Sequence, residues 1–139
     1  MSTVAPMTRP LLVALSSGLA ALALLAAPAS AQTCSCTTYQ SAQQFVQFND
    51  AIFKGKVVSS KDDNGIATTK FQVLEELKGE LGAQATVTHP APGPGKCGGV
   101  AFKPGQTVVI VAQGPMEDLG TTSCQINAYG EAEIRAALR

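Results

Sequence analysis

The sequence contains little of what metal sites and hydrolytic enzymes are built from. It has one histidine, His89, and its four cysteines include no C-x-x-C pair. Zinc sites need convergent sets of Cys and His ligands, and a nucleophilic triad needs a base beside its nucleophile, so both kinds of site lack their parts. We interpret His89, beside Pro90 at a strand end, as an ordinary surface or half-buried residue. We predict no enzyme, no cofactor and no metal site of the chain's own.

Adjacent carboxylates are also scarce, and the pair Glu75-Glu76 lies in a predicted strand. Neighbouring residues of a strand point to opposite faces, so these two side chains cannot flank one substrate as acid and base. We interpret the pair as a solvated strand end.

Charge of either sign is limited and balanced. Charged residues make up 14% of the chain, with ten Lys and Arg against ten Asp and Glu. Removing an N-terminal segment that carries Arg9 would leave nine basic and ten acidic residues. Nucleic acids and anionic membranes attract basic proteins, so neither is a predicted partner.

A long hydrophobic run is found at the N-terminus. Residues 11–27 are almost wholly Leu, Ala and Val, and residues 28–31 (PASA) follow with small side chains at the last and third-last positions. This layout predicts a secretory signal peptide, residues 1–31, cleaved after Ala31. An uncleaved membrane anchor is the alternative, because the run is near the short limit for spanning a bilayer.

The remaining residues, 32–139, are predicted to form one small domain that carries all four cysteines. Gln32 and Thr33 stand between the small residues and Cys34, which argues against a lipid anchor. An even number of cysteines in an exported chain predicts two disulfides. We therefore expect a secreted or periplasmic monomer that is free of the membrane after signal cleavage.

The first half of this domain predicts a helix and two strands. Residues 41–44 (SAQQ) have the form of a capping box. Apolar residues then recur every three to four positions, and the helix is expected to lay this stripe on the core: Ala42, Phe45, Phe48 and, as the furthest candidate, Ile52. Residues 52–58 (IFKGKVV) alternate as a half-buried strand does. The pair Asn64-Gly65 predicts a tight hairpin to a second strand over residues 67–77.

The second half predicts three further strands and a helix. Residues 84–89 (QATVTH) alternate, residues 107–112 (TVVIVA) are typical of a strand buried on both faces, and a fifth strand is predicted around Thr121 to Ala128. Residues 131–138 (EAEIRAAL) predict a terminal helix. The fold class that follows is mainly β, a five-stranded antiparallel OB-like barrel with a short helix near each end.

The pair Cys34-Ser35-Cys36 needs its own explanation. A bond between its two cysteines would close a very tight ring, so each is expected to pair with a distant cysteine, which leaves two connectivities open. A thiol or copper-handling role for the pair is a further hypothesis, although no methionine cluster accompanies it.

Motifs along most of the domain resemble a known family. They resemble the N-terminal domain of the tissue inhibitors of metalloproteinases and its bacterial netrin-like relatives. The shared features are Cys34-x-Cys36 soon after a signal peptide, a helix, the strand AIFKGKV at 51–57, the strand FQVL at 71–74 that leads to Lys78-Gly79, then Cys97, Gly105 before TVVIVA, and Cys124.

The resemblance implies an OB-like barrel, a connectivity and a binding edge. Cys34 would pair with Cys97 and Cys36 with Cys124. In that family the free α-amine and carbonyl of the first cysteine chelate the zinc of the inhibited protease, and the middle side chain enters its specificity pocket. The corresponding protease-binding residues would be Cys34, Ser35, Cys36 and Thr37, with Lys96 alongside.

One departure from the family concerns the residues ahead of this edge. Cleavage after Ala31 leaves Gln32-Thr33 in front of Cys34, so its nitrogen would lie in a peptide bond and could not chelate zinc. The main functional hypothesis is therefore a TIMP-like binding domain that binds or inhibits a zinc metalloendopeptidase. The alternative is a structural or interaction module of the cell envelope without inhibitory activity.

Overall fold

The computed structural model describes residues 34–94 and 97–139. The predicted signal peptide, Gln32, Thr33 and Lys96 lie outside the described residues. In chain order the elements are α1 (Ala42–Phe48), β1 (Ala51–Asp63), β2 (Ile66–Lys78), β3 (Gln84–Pro90), β4 (Thr107–Ala112), β5 (Leu119–Gly120), α2 (Ser123–Asn127) and α3 (Glu131–Ala137).

Helix α1 begins where its capping residues predict. The Ser41 hydroxyl accepts a hydrogen bond from the backbone N–H of Gln44 at 3.1 Å. The Gln44 side chain in turn accepts from the N–H of Gln40 at 2.7 Å, one residue earlier than a capping box requires. The helix buries Phe45, so the predicted helix is confirmed. The predicted core stripe is wrong at Phe48, which is exposed, and Ile52 belongs to β1.

The turn between β1 and β2 is the predicted Asn64-Gly65 hairpin. Both residues have positive φ, 52° and 88°, a conformation that Asn and Gly adopt more readily than other residues. The N–H of Gly65 donates to the Asp62 carboxylate at 2.9 Å and stabilises the turn. The two strands pair antiparallel over their whole length, with register shifts that mark β-bulges.

The sheet is open and mixed, which corrects the predicted antiparallel barrel. Its strand order is β4-β1-β2-β3-β5. Strands β3 and β5 run parallel through the pairs Val87–Leu119 and Thr88–Gly120, while the other neighbours are antiparallel. An isolated bridge between Gln113 and Gly120 links the two edges. A two-residue strand is too short for the continuous ladder that closes a barrel.

The two faces of the sheet bury separate clusters. On one face the rings of Phe53 and Phe102 both meet Phe71 edge-on, with centroid distances of 5.6 and 5.3 Å. On the other face Ile52 and Val111 pack with residues of α1 and α3. The predicted burial of the TVVIVA strand on both faces is therefore confirmed for its second half, which is fully buried.

The predicted fifth strand around Thr121 to Ala128 is wrong. That stretch contains α2, whose first hydrogen bonds run from Gln125 and Ile126 to the carbonyl of Thr122. The fifth strand of the sheet is the shorter β5, just before it. The terminal helix is confirmed as α3, and its residue Ile134 is buried.

Candidate functional site

Two disulfides fix the N-terminal end of the described chain. Cys34 is bonded to Cys97 and Cys36 to Cys124, with Cα–Cα distances of 5.3 and 5.5 Å. This pairing confirms the connectivity that the family resemblance implies. Since neither described range, 34–94 or 97–139, holds a free cysteine, the thiol or copper-handling hypothesis has no thiolate to use.

Residues 34–39, which we call the strap, form neither helix nor strand. The strap is exposed from Cys34 to Thr38. Within the described part of the chain, Ser35, Cys36, Thr37 and Thr38 make no hydrogen bond. A partner could therefore bind their backbone N–H and C=O groups as it would bind an unpaired strand edge.

Tyr39 anchors the other end of the strap. Its ring meets the buried ring of Phe45 edge-on, with a centroid distance of 5.0 Å, and lies 6.3 Å from the ring of Phe48. Cys34, Cys36 and Tyr39 therefore hold the strap to the domain, while the residues between them stay exposed.

The two disulfide partners belong to neighbouring parts of the fold. The N–H of Ser123, next to Cys124, donates to the carbonyl of Gly98, next to Cys97, at 2.9 Å. This hydrogen bond joins the loop that contains Cys97 to helix α2, so the two disulfides tie the strap to connected parts of the fold. Lys96, the fifth predicted protease-binding residue, precedes Cys97 in sequence but lies outside the described residues.

His89 is a core residue, which corrects the expectation of a surface or half-buried histidine. It is 2% exposed, its Nε2 lies 2.7 Å from the hydroxyl of Thr69, and its ring meets Phe102 edge-on at 4.9 Å. In the described ranges, no group of three or more His, Cys, Asp or Glu side chains is placed to hold a metal ion.

Glu75 and Glu76 have different structural partners. Glu75 accepts two hydrogen bonds from the guanidinium of Arg135 on α3, at 2.6 and 2.8 Å. Glu76 accepts from the backbone N–H groups of Leu81 and Gly82 and orders the turn after β2. The expectation that the two carboxylates do not form one acid/base pair agrees with these separate partners.

Arg135 sets the electrostatics of the surface between β2 and α3. Its hydrogen bonds to Glu75 and to Glu131 are the largest causes that lower the pKa of each carboxylate. Lys54 lies 3.4 Å from Glu131 and adds to the second effect. These ion pairs hold α3 on the sheet and are separate from the strap.

A cavity of about 390 Å³ lies beside the strap. Its walls combine two aromatic rings, several hydroxyl groups and three glutamines, contributed by Thr37, Thr38, Tyr39, Gln44, Phe48, Gln113, Thr122, Cys124 and Gln125. No sequence pattern signals this site, because its residues come from the strap, α1, the residue after β4 and α2, which the disulfides and the fold bring together.

Comparison with known proteins does not assign a family, since no protein-family model matches the chain and no curated protein does either. The resemblance to the metalloproteinase inhibitors therefore stays a prediction from the sequence.

The disulfides indicate an oxidising, extracytoplasmic environment, because thiols are kept reduced in the cytosol. Within residues 34–94 and 97–139, no helix has the length and hydropathy needed to cross a bilayer.

Proposed function

We propose that this chain is an exported binding domain that engages a zinc metalloendopeptidase through Cys34, Ser35, Cys36 and Thr37. The observation that carries the proposal is the strap: an exposed segment tied by both disulfides, in which Ser35, Cys36, Thr37 and Thr38 make no hydrogen bond to the described part of the chain. A segment held in this way loses little conformational entropy on binding, and the backbone groups of residues 35–38 are available to a protease cleft.

The strap has the chemical character of a bound peptide. Its central side chains, those of Ser35 and Thr37, are small, uncharged and exposed. Proteases bind substrates through backbone hydrogen bonds and side-chain pockets, which an exposed, disulfide-held peptide segment can occupy. Lys96, one residue before Cys97, would add a contact from the adjoining loop.

Whether a residue precedes Cys34 determines whether its nitrogen can coordinate the zinc ion of the protease. A free α-amine at Cys34 could ligate the zinc of the protease through its nitrogen lone pair. With Gln32-Thr33 attached, that nitrogen is an amide and a poor ligand. The proposal therefore takes two forms: zinc-directed inhibition if Cys34 is the first residue, and binding without chelation if Gln32 is.

The test uses two forms of the disulfide-bonded domain, one beginning at Cys34 and one at Gln32, each verified by mass spectrometry. Both are assayed against a panel of zinc metalloendopeptidases at micromolar concentrations, and the N-terminus of the naturally exported protein is determined in parallel. We expect the form with Cys34 first to inhibit at least one protease, and N-acetylation of that form to abolish the inhibition.

Ser35→Arg is the matched variant, because it places a large cation at the centre of the strap and leaves both disulfides in place. We expect it to weaken protease binding at least tenfold. If no protease is bound by either form, or if binding is unchanged by Ser35→Arg, the domain is better described as an envelope interaction module that uses another surface.

A further inference from the structure

We propose that the cavity beside the strap binds an uncharged peptide segment of the partner, which packs one apolar side chain against the exposed ring of Phe48, next to Tyr39. The identity of the partner rests on the proposed function, whereas the chemistry of the cavity does not. Thr37 belongs both to the strap and to the cavity wall, so a chain bound along the strap passes directly over this site.

The apolar part of the cavity is formed by aromatic rings that the fold leaves accessible. Phe48 is 61% exposed, the most exposed of the large apolar side chains described. It ends α1 beside Tyr39 and lines the cavity of about 390 Å³. An exposed aromatic ring at the edge of a concave site is a common anchor point for an apolar side chain of a partner.

The polar part of the cavity has a fixed hydrogen-bonding pattern. The Nε2 of Gln113 donates to the carbonyl of Phe48 at 3.1 Å, and its Oε1 is an acceptor without a hydrogen-bond partner among the residues that the structure describes. The Nε2 of Gln125 donates to Oδ1 of Asn49 at 2.8 Å. Asn49 donates its own amide to the carbonyl of Phe45, which fixes both amides and leaves Oε1 of Gln125 as a second acceptor.

Gln44 has the opposite orientation. Its Oε1 accepts from the backbone N–H of Gln40 at 2.7 Å, and in the described ranges its Nε2 has no hydrogen-bond partner and can donate to a ligand. Among its glutamines, the cavity wall therefore offers the Oε1 acceptors of Gln113 and Gln125 and the Nε2 donor group of Gln44, besides the second N–H of the first two. The residues that line it carry no formal charge.

This pattern is complementary to a peptide backbone with an apolar side chain. Each peptide unit offers one N–H donor and one C=O acceptor, so two successive units supply two donors for the glutamine carbonyls and an acceptor for Gln44. A charged ligand would find no counter-charge in the cavity wall and would lose hydration on entry. The structure thus favours a neutral, apolar segment over an acidic or basic one.

The test is an NMR titration of the exported, disulfide-bonded protein with N-acetyl-leucine-N′-methylamide, which has two N–H donors and one apolar side chain. We expect saturable shifts of the side-chain amide signals of Gln44, Gln113 and Gln125, with a Kd on the order of 1 mM for a ligand of this size. Removing the side chain, in N-acetyl-glycine-N′-methylamide, should weaken binding about tenfold or more.

Two variants separate the apolar from the polar contribution. Phe48→Ala should weaken binding of the leucine probe about tenfold. The control is Leu74→Ala, which removes an apolar side chain that is 49% exposed on β2 and should leave binding of the probe unchanged. Gln44→Glu keeps the acceptor for Gln40 and removes the donor, so it should weaken binding at least threefold.

The proposal is overturned if the leucine probe gives no saturable shift, if the glycine probe binds equally well, or if Phe48→Ala behaves as the parent protein. Tighter binding of N-acetylglucosamine than of the leucine probe would assign the cavity to carbohydrate instead. Because the titration uses no protease, a domain that fails to inhibit every protease of the panel would refute the proposed function and leave this result standing.

Discussion

The Nε2 atom of His89 lies 2.7 Å from the hydroxyl oxygen of Thr69, across the pairing of β2 with β3. The Nδ1 atom of the same ring lies 3.1 Å from the carbonyl of Pro90, which can only accept, so Nδ1 donates to it. The hydroxyl of Ser60 lies 2.7 Å from that of Thr69, within hydrogen-bond distance. The imidazole is thus a fully hydrogen-bonded member of the core.

We expect His89→Ala to destabilise the domain by about 2 to 4 kcal/mol, because it leaves a cavity beside Phe102 and removes a buried hydrogen bond. His89→Phe restores most of the ring volume and leaves Thr69 its bond to Ser60, so it should be the less damaging variant. Urea unfolding measures both, with Gln84→Ala, an exposed change on β3, as a control expected within about 0.5 kcal/mol of the parent. Equal stability of His89→Ala and the control would contradict this account of the core.

Local patterns predicted the elements that local chemistry determines. The Ser41 cap, the Asn64-Gly65 turn and the TVVIVA strand of β4 each carry their signal within a few residues, and the structure places all of them as predicted. The disulfide pairing was not deducible from the residues themselves, which left two connectivities, and came from the family resemblance.

The errors arose where tertiary contacts override local preference. Thr121, Thr122 and Ile126 favour a strand by propensity, but the chain turns into α2 beside Gly98, where Cys124 meets Cys36. Strand β5 has two residues, too few for any periodic signal. The cavity glutamines were missed for the same reason, since only the folded chain brings α1, α2 and the residue after β4 to one site.

Each disulfide is expected to contribute similarly to stability. The linked cysteines are 63 residues apart in one case and 88 in the other, and the loop-closure entropy depends only on the logarithm of that length. We expect the pairs Cys34→Ser with Cys97→Ser and Cys36→Ser with Cys124→Ser each to cost about 2 to 5 kcal/mol in urea unfolding. A loss below about 1 kcal/mol for either pair would show that the strap is held by other contacts.

The ion pairs of Arg135 predict a specific dependence on pH. Its hydrogen bonds lower the pKa of Glu75 and of Glu131 in the folded state. Both carboxylates therefore stabilise the fold above the unfolded-state pKa of about 4.3, and this contribution is lost as the pH falls through the folded-state values. Carbon-13 NMR titration of the side-chain carboxyls measures both values directly.

Arg135→Gln should raise the pKa values of Glu75 and Glu131 towards the ordinary range. The variant should therefore lose less stability than the parent protein as the pH falls below about 4.3. Glu131 keeps Lys54 at 3.4 Å, so its pKa should rise less than that of Glu75. Arg139→Gln, next to the end of α3, is the control and should leave both values unchanged. Titrations that do not distinguish Arg135→Gln from the parent would contradict the assigned hydrogen bonds.

Lys78, the last residue of β2, caps the C-terminal end of α1. Its ammonium donates to the backbone carbonyls of Val46 and Asn49, both at 2.6 Å, and lies 3.4 Å from that of Gln47. The last carbonyls of a helix have no partner within it, and a cation there also interacts favourably with the helix dipole. We expect Lys78→Met, which keeps the length of the side chain, to cost about 1 to 3 kcal/mol.

Unfolding in urea checks this value against Lys70→Met, an exposed change on the same strand that should stay within about 0.5 kcal/mol of the parent. Amide hydrogen exchange should locate the effect, with faster exchange in α1 and no change at the far end of the hairpin. Because Phe48 ends α1, Lys78→Met should also weaken binding of the leucine probe. A stable Lys78→Met variant with unchanged exchange in α1 would show that the carbonyls are satisfied by water instead.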